Sequence, residues 1–86
     1  MNNEEIRVRV IKTLSSIVPE LDPGTLKQDK SLRDQLDIDS MDFLNFLIAL
    51  HQEFAVDVPE ADAPKLGTID ACVAYLAQAL LQRAQA

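Results

Sequence analysis

Tryptophan is absent from this chain of 86 residues, and glycine, cysteine and histidine contribute only two, one and one. With Gly24 and Gly67 alone, no glycine-rich phosphate loop can form, and the Gly-x-Ser-x-Gly elbow of serine hydrolases is missing. A single cysteine, Cys72, excludes an internal disulfide, and one cysteine with one histidine cannot build a zinc cluster. Apolar runs are short and interrupted, and Met1 to Glu5 lacks the positive and then apolar pattern of a signal peptide. A soluble cytoplasmic protein without membrane insertion is therefore expected. Basic residues are scarce as well: 8 Lys and Arg stand against 14 Asp and Glu, a net charge of −6. Between Asp34 and Asp62 there is no Lys or Arg at all. Such a surface repels phosphate backbones and attracts basic proteins, so nucleic acid is excluded as a partner.

What is present is apolar content, 48% of the chain, enough for one modest core and a single domain over residues 1–86. Ile6, Val10, Leu14, Ile17 and Val18 recur at helical spacing, with Asn2 or Asn3 as cap and Glu4 and Glu5 at the positive end of the helix dipole. Pro19 stops this helix near Val18. A connector from Pro19 to Asp39 follows, punctuated by Pro23-Gly24 and carrying Leu21, Leu26, Leu32, Leu36 and Ile38, which predict that it is pinned to the core. Ser31 to Leu36 has the length of a short helical turn, and so long a connection in a compact domain points to a functional loop. A second helix runs from Ser40 to about Phe54. Val56 to Pro59 then reads as extended, Glu60 to Lys65 as one turn at most because of Pro64, and Thr68 as cap of a last helix. Ile69, Cys72, Val73, Leu76 and Leu80 form its buried stripe, where the Cys72 thiol acts as a small hydrophobe.

At about 100° per residue, Phe43, Phe46, Leu47, Leu50 and Phe54 share one face of the second helix, the core face. Met41, Leu44 and Ile48 fall on a separate arc beside Ser40. This second apolar stripe has two readings: it packs beneath the connector, or it binds a partner.

Asp39-Ser40-Met41 stands where the acidic connector becomes this helix. A helix start exposes backbone N–H groups with no internal partner, and an Asp there caps them and complements the dipole. One reading is that Asp39 or Ser40 simply caps; the other is that Ser40 is held exposed for chemistry. Ser40 has no base of its own, because His51 lies roughly 16 Å further along the same helix at 1.5 Å rise per residue. Asp37, Asp39 and Asp42 lack the glycine and terminal glutamate of a calcium loop. The chain is thus expected to be neither an enzyme nor a metal protein, and Ser40 to be modified by another protein.

Here the residues resemble a family. Leu36-Asp37-Ile38-Asp39-Ser40-Met41-Asp42 resembles the attachment motif of acyl carrier proteins, and Leu50-His51-Gln52-Glu53-Phe54, Val58-Pro59 and the final apolar helix keep the same order over nearly the whole chain. The resemblance implies an all-α four-helix bundle with a long first connector and a short third helix. It implies that Ser40 receives 4′-phosphopantetheine from coenzyme A through a separate magnesium-dependent phosphopantetheinyl transferase, with Asp39 as motif partner. The thiol of that arm, not Cys72, would carry acyl groups as thioesters to acyl-handling enzymes such as a ligase, synthase or transferase of fatty-acid, polyketide or related biosynthesis. Met41, Leu44 and Ile48 match positions that the family presents to partners, with Asp42 and Glu53 as the acidic residues remaining on that helix. The cargo is expected between the core faces of Phe46, Leu47 and Leu50 and the last helix. A monomer is implied.

Two departures stand out. Asp37 replaces the family's usual glycine, so the loop must adopt a conformation that Asp tolerates. Asn45, His51 and Gln52 occupy positions commonly acidic in carriers of housekeeping fatty-acid synthesis, which points to a dedicated carrier of a specialised pathway. Two alternatives stay open: a peptidyl or aminoacyl carrier with the same arm, and a helical adaptor in which Ser40 only caps.

Overall fold

The computed structural model describes residues 1–85, in which the helix-forming segments are α1 (Asn3–Ile17), α2 (Leu32–Leu36), α3 (Ser40–Phe54), a 3₁₀ helix (Glu60–Leu66) and α4 (Ile69–Gln85). The described residues are helical or irregular, with no strand, and the three long helices pack α1 against both α3 and α4. This is the all-helical bundle expected, with the 3₁₀ segment as its short third helix.

Local chemistry explains each boundary. Asn2 and Glu5 form a reciprocal capping box at the start of α1: the Glu5 N–H donates to Asn2 Oδ1 at 2.8 Å and the Asn2 N–H to Glu5 Oε1 at 3.4 Å. Val18 ends the helix in a non-helical conformation, as a residue before proline must, and its N–H closes the last turn on Leu14 O at 2.9 Å. Thr68 Oγ1 accepts from the Ala71 N–H at 3.0 Å and so caps α4 as expected.

The core is built from Ile6, Val10 and Leu14 of α1, Phe46 and Leu50 of α3, and Ile69, Cys72 and Leu76 of α4, with Leu32 and Leu66 closing its ends; all are at most 1% exposed. Each such side chain contributes about 1.5–3 kcal/mol by leaving water. Cys72 donates its thiol to Leu66 O, and burial pushes its pKa up to about 12, so it stays a neutral packing residue.

The connector is not a free loop. Its Leu32 N–H bonds to Gly67 O at 2.8 Å, and its Gln28 O accepts from the Asp70 N–H at 2.9 Å. Arg7 of α1 adds a bond to the Gln28 side chain and an ion pair to Asp70 at 2.7 Å. The short turn anticipated at Ser31 to Leu36 is α2, capped by Ser31.

One boundary differs. The segment expected to manage one turn forms a 3₁₀ helix over Glu60–Leu66 with Pro64 inside it. Its bonds span three residues rather than four, so the proline ring does not meet the clash it would meet in an α-helix. Asp62 fastens it, accepting from Tyr75 Oη at 2.6 Å and pairing with Lys65 at 3.3 Å. These two bonds lower the Asp62 pKa, while the same carboxylate pushes the Tyr75 hydroxyl up to about 12. Among the described residues no helix is long and apolar enough to cross a membrane.

Candidate functional site

At the head of α3 the capping role falls to Asp39. Its backbone is extended (φ −89°, ψ −178°), its carboxylate accepts from the Asp42 N–H at 2.9 Å, and its carbonyl accepts from the Phe43 N–H at 3.0 Å. Ser40 is therefore the first helical residue rather than the cap. Its side chain is exposed, and among the described residues the one bond its hydroxyl makes is accepted from Arg33 Nη2 at 3.3 Å.

Two residues before Asp39, Asp37 lies in the left-handed region at φ 53°, ψ 40°. Asp is among the few side chains that enter this region readily, which is how the chain turns there without the family's glycine. Ile38 follows, 9% exposed and inserted in the core. The turn is thus clamped from below by Ile38 while Ser40 is left on top.

The second stripe of α3 lies in solvent. Met41, Leu44 and Ile48 are 64%, 45% and 46% exposed, so of the two readings the connector is not what they pack against. Asp42 beside them is half-buried. Glu53 is set apart: it lies roughly 20 Å from Ser40 along the helix and pairs with Arg9 of α1 at 3.2 Å.

The core faces between which the cargo was expected are closed to solvent: Phe46, Leu50 and Leu76 belong to one buried cluster at zero exposure. Open space is found on the other flank of α3. An open cleft of about 580 Å³ runs between Leu44, Leu47, Ile48 and His51 and the segment carrying Val58, Pro59 and Ala63, with Asp57 and Glu60 at its rim. It begins one helical turn beyond Ser40, because side chains four apart share a face. His51 Nδ1 lies 2.8 Å from Val56 O and 3.8 Å from the Asp57 carboxylate, holding the segment after α3 beside the cleft.

Sequence reasoning missed the far wall of this cleft and missed Arg33. The only local sign of Arg33 was its position as the last basic residue before the wholly acidic stretch.

The sequence model of the phosphopantetheine attachment site matches residues 8–76. An acyl carrier protein of Kineococcus radiotolerans is 34% identical over 73 residues, covering 81% of this chain and 90% of the relative. This chain belongs to the acyl carrier protein family. It is also 25% identical over 76 residues to the mitochondrial acyl carrier protein of Neurospora crassa, covering 88% of this chain but 57% of that longer relative. Among solved structures it superposes with a TM-score of 0.80 on a solution structure described as an acyl carrier protein of Anaplasma phagocytophilum, at 27% identity and 91% coverage of both chains. The prosthetic group of this family is phosphopantetheine. The head of α3 fits such a group: an exposed hydroxyl that capping leaves spare, at the positive end of a long helix, is open to attachment of an anionic arm.

Proposed function

We propose that Ser40 is the residue that carries 4′-phosphopantetheine and that the chain ferries acyl groups on that arm between partner enzymes. The observation that supports this most directly is the division of labour at the head of α3: Asp39 satisfies the helix start, so the Ser40 hydroxyl is spare and exposed. Among the described residues no base reaches it, so its proton must leave through the transferase that modifies it. When attached, the arm supplies a thiol that holds acyl groups as thioesters.

Met41, Asp42, Leu44 and Ile48 form the docking face for the transferase and for the acyl-handling ligase, synthase or transferase. They join exposed apolar area to an acid on the same helix as Ser40. Glu53, tied to Arg9 at the other end, sits at the margin of that face. The cleft beside Leu44 and Ile48 is the resting place for an apolar cargo. As a single carrier domain working as a cytoplasmic monomer, the protein serves fatty-acid, polyketide or related biosynthesis, and its thinned helix charge suits a dedicated pathway.

The test is direct. Incubated with coenzyme A, magnesium and a broad-specificity transferase, the protein gains the mass of one phosphopantetheinyl group at Ser40. No gain, or a gain at another residue, overturns the assignment. The mass of the loaded thioester then separates an acyl from an aminoacyl or peptidyl cargo.

A further inference from the structure

We propose that Arg33 is a positioning residue for the prosthetic arm, its guanidinium pairing with the phosphodiester that Ser40 carries after modification. This rests on Ser40 being the attachment point. Arg33 lies on α2, and the left-handed turn at Asp37 folds α2 back so that Arg33 Nη2 comes within 3.3 Å of Ser40 Oγ.

The surroundings make this contact unusual. Asp34, Asp37, Asp39 and Asp42 are all near in the chain, yet Arg33 forms no ion pair among the described residues. The Asp39 carboxylate is occupied by the Asp42 N–H. The guanidinium of Arg33 instead points at a neutral hydroxyl, which gives it little in return. Once Oγ is esterified, the non-bridging phosphate oxygens stand next to that hydroxyl position and bear one negative charge. A planar guanidinium can grip two of them at once, which a lysine ammonium cannot. The positive end of α3 acts on the same oxygens. The base of the arm is then held toward α2, while the rest of it stays free to swing. Because the site is exposed, the grip is sensitive to salt.

The experiment uses the whole chain, modified in vitro as the parent protein, Arg33→Gln and Arg33→Lys, each checked by mass. The phosphorus NMR resonance of the single phosphodiester is recorded at low salt and at 1 M sodium chloride. In the parent the resonance shifts and narrows as salt is raised. In Arg33→Gln it sits already at low salt where the parent lies at high salt, and Arg33→Lys falls between the two. Identical position and width for parent and Arg33→Gln at low salt overturn the clamp while leaving the attachment site intact. Should Arg33→Gln lose its helical circular dichroism, a parent resonance that ignores salt overturns the clamp alone. A parent protein that gains no mass overturns the attachment site, and the clamp with it.

Discussion

The two ends of α3 are held in opposite ways. Its C-terminal end is fastened by distant parts of the chain: Arg83 of α4 donates to Phe54 O at 3.3 Å and to Ala55 O at 2.7 Å, satisfying carbonyls that the helix itself leaves open. Arg9 of α1 pairs with Glu53 and lies 5.6 Å over the Phe54 ring. Its N-terminal end is held by its own neighbours, through the Asp39 cap and the buried Ile38, with Arg33 as the one cation among the described residues that reaches it. Both ends use a left-handed residue that is not glycine, Asp37 at φ 53° and Ala55 at φ 54°. The difference shows how one helix serves as both anchor and platform. Cations on the negative pole fix the far end, and a local cap frees the near end from any covering element.

The sharpest way to break the comparison is at Ser40. Ser40→Ala removes the hydroxyl but not the cap, so phosphopantetheinylation should be abolished while the midpoint of thermal unfolding stays nearly unchanged, the cap itself being worth about 1 kcal/mol. Mass spectrometry and circular dichroism check both halves. Ser15, Ser16 and Ser31 do not substitute, since the first two bond to carbonyls of their own helix and the third caps α2.

Next in size is the exposed stripe. Leu44→Gln and Ile48→Gln should each weaken binding to a transferase or acyl-handling enzyme by more than 1 kcal/mol if the residue is an anchor of the interface. Stability should move by no more than about 0.5 kcal/mol, as at other surface positions. Titration calorimetry with the transferase and thermal melts measure the two effects. A large loss of stability would show that the stripe packs against the chain itself.

Two small substitutions, one at each end, should have opposite signs. Asp39→Ala removes the local cap and should cost about 1 kcal/mol. Ala55→Gly relieves an alanine held at positive φ, a strain of about 1–2 kcal/mol partly offset by the greater freedom of glycine in the unfolded chain, and should stabilise by about 0.5–1 kcal/mol. Denaturant titrations of both variants give the signs. Asp37→Gly should gain less than Ala55→Gly, because Asp already tolerates the left-handed region better than Ala.

What could be read from the sequence follows the same division. The helix starts, the core stripes and a cap at Asp39 or Ser40 were legible because they depend on residues close together in the chain, and the structure assigns that cap to Asp39. The two readings of the second stripe could not be separated by a helical wheel, which gives directions but not neighbours. Long-range partners left still weaker traces: Arg83 on the Phe54 carbonyl, Arg9 on Glu53 and Arg33 beside Ser40 join elements whose packing no local pattern reports. The open cleft went unread for this reason. Phe46 and Leu50 promised an apolar chamber, but both lie fully buried in the core cluster, and the open cleft is created by Val58, Pro59 and Ala63 crossing the far flank of α3. The 3₁₀ helix around Pro64 depended likewise on the distant Tyr75 hydroxyl.

The finest comparison is electrostatic. An acidic face should be steered toward a basic partner, and steering fades as salt shortens the Debye length from about 10 Å at 0.1 M to about 3 Å at 1 M. Association with the transferase should therefore slow as salt rises. The two acids of α3 should not share this effect equally. Asp42 forms no ion pair among the described residues and lies beside Ser40, whereas Glu53 is matched by Arg9 at 3.2 Å and stands roughly 20 Å away along the helix. A charge with its counterion in place contributes little field at a distance. Stopped-flow association rates across that salt range should show a shallower salt slope for Asp42→Asn than for the parent, and a slope close to the parent's for Glu53→Gln. Equal slopes for all three would mean that shape and the arm, rather than charge at the head of α3, bring the partners together. A larger change for Glu53→Gln would move the docking face toward the anchored end of the helix.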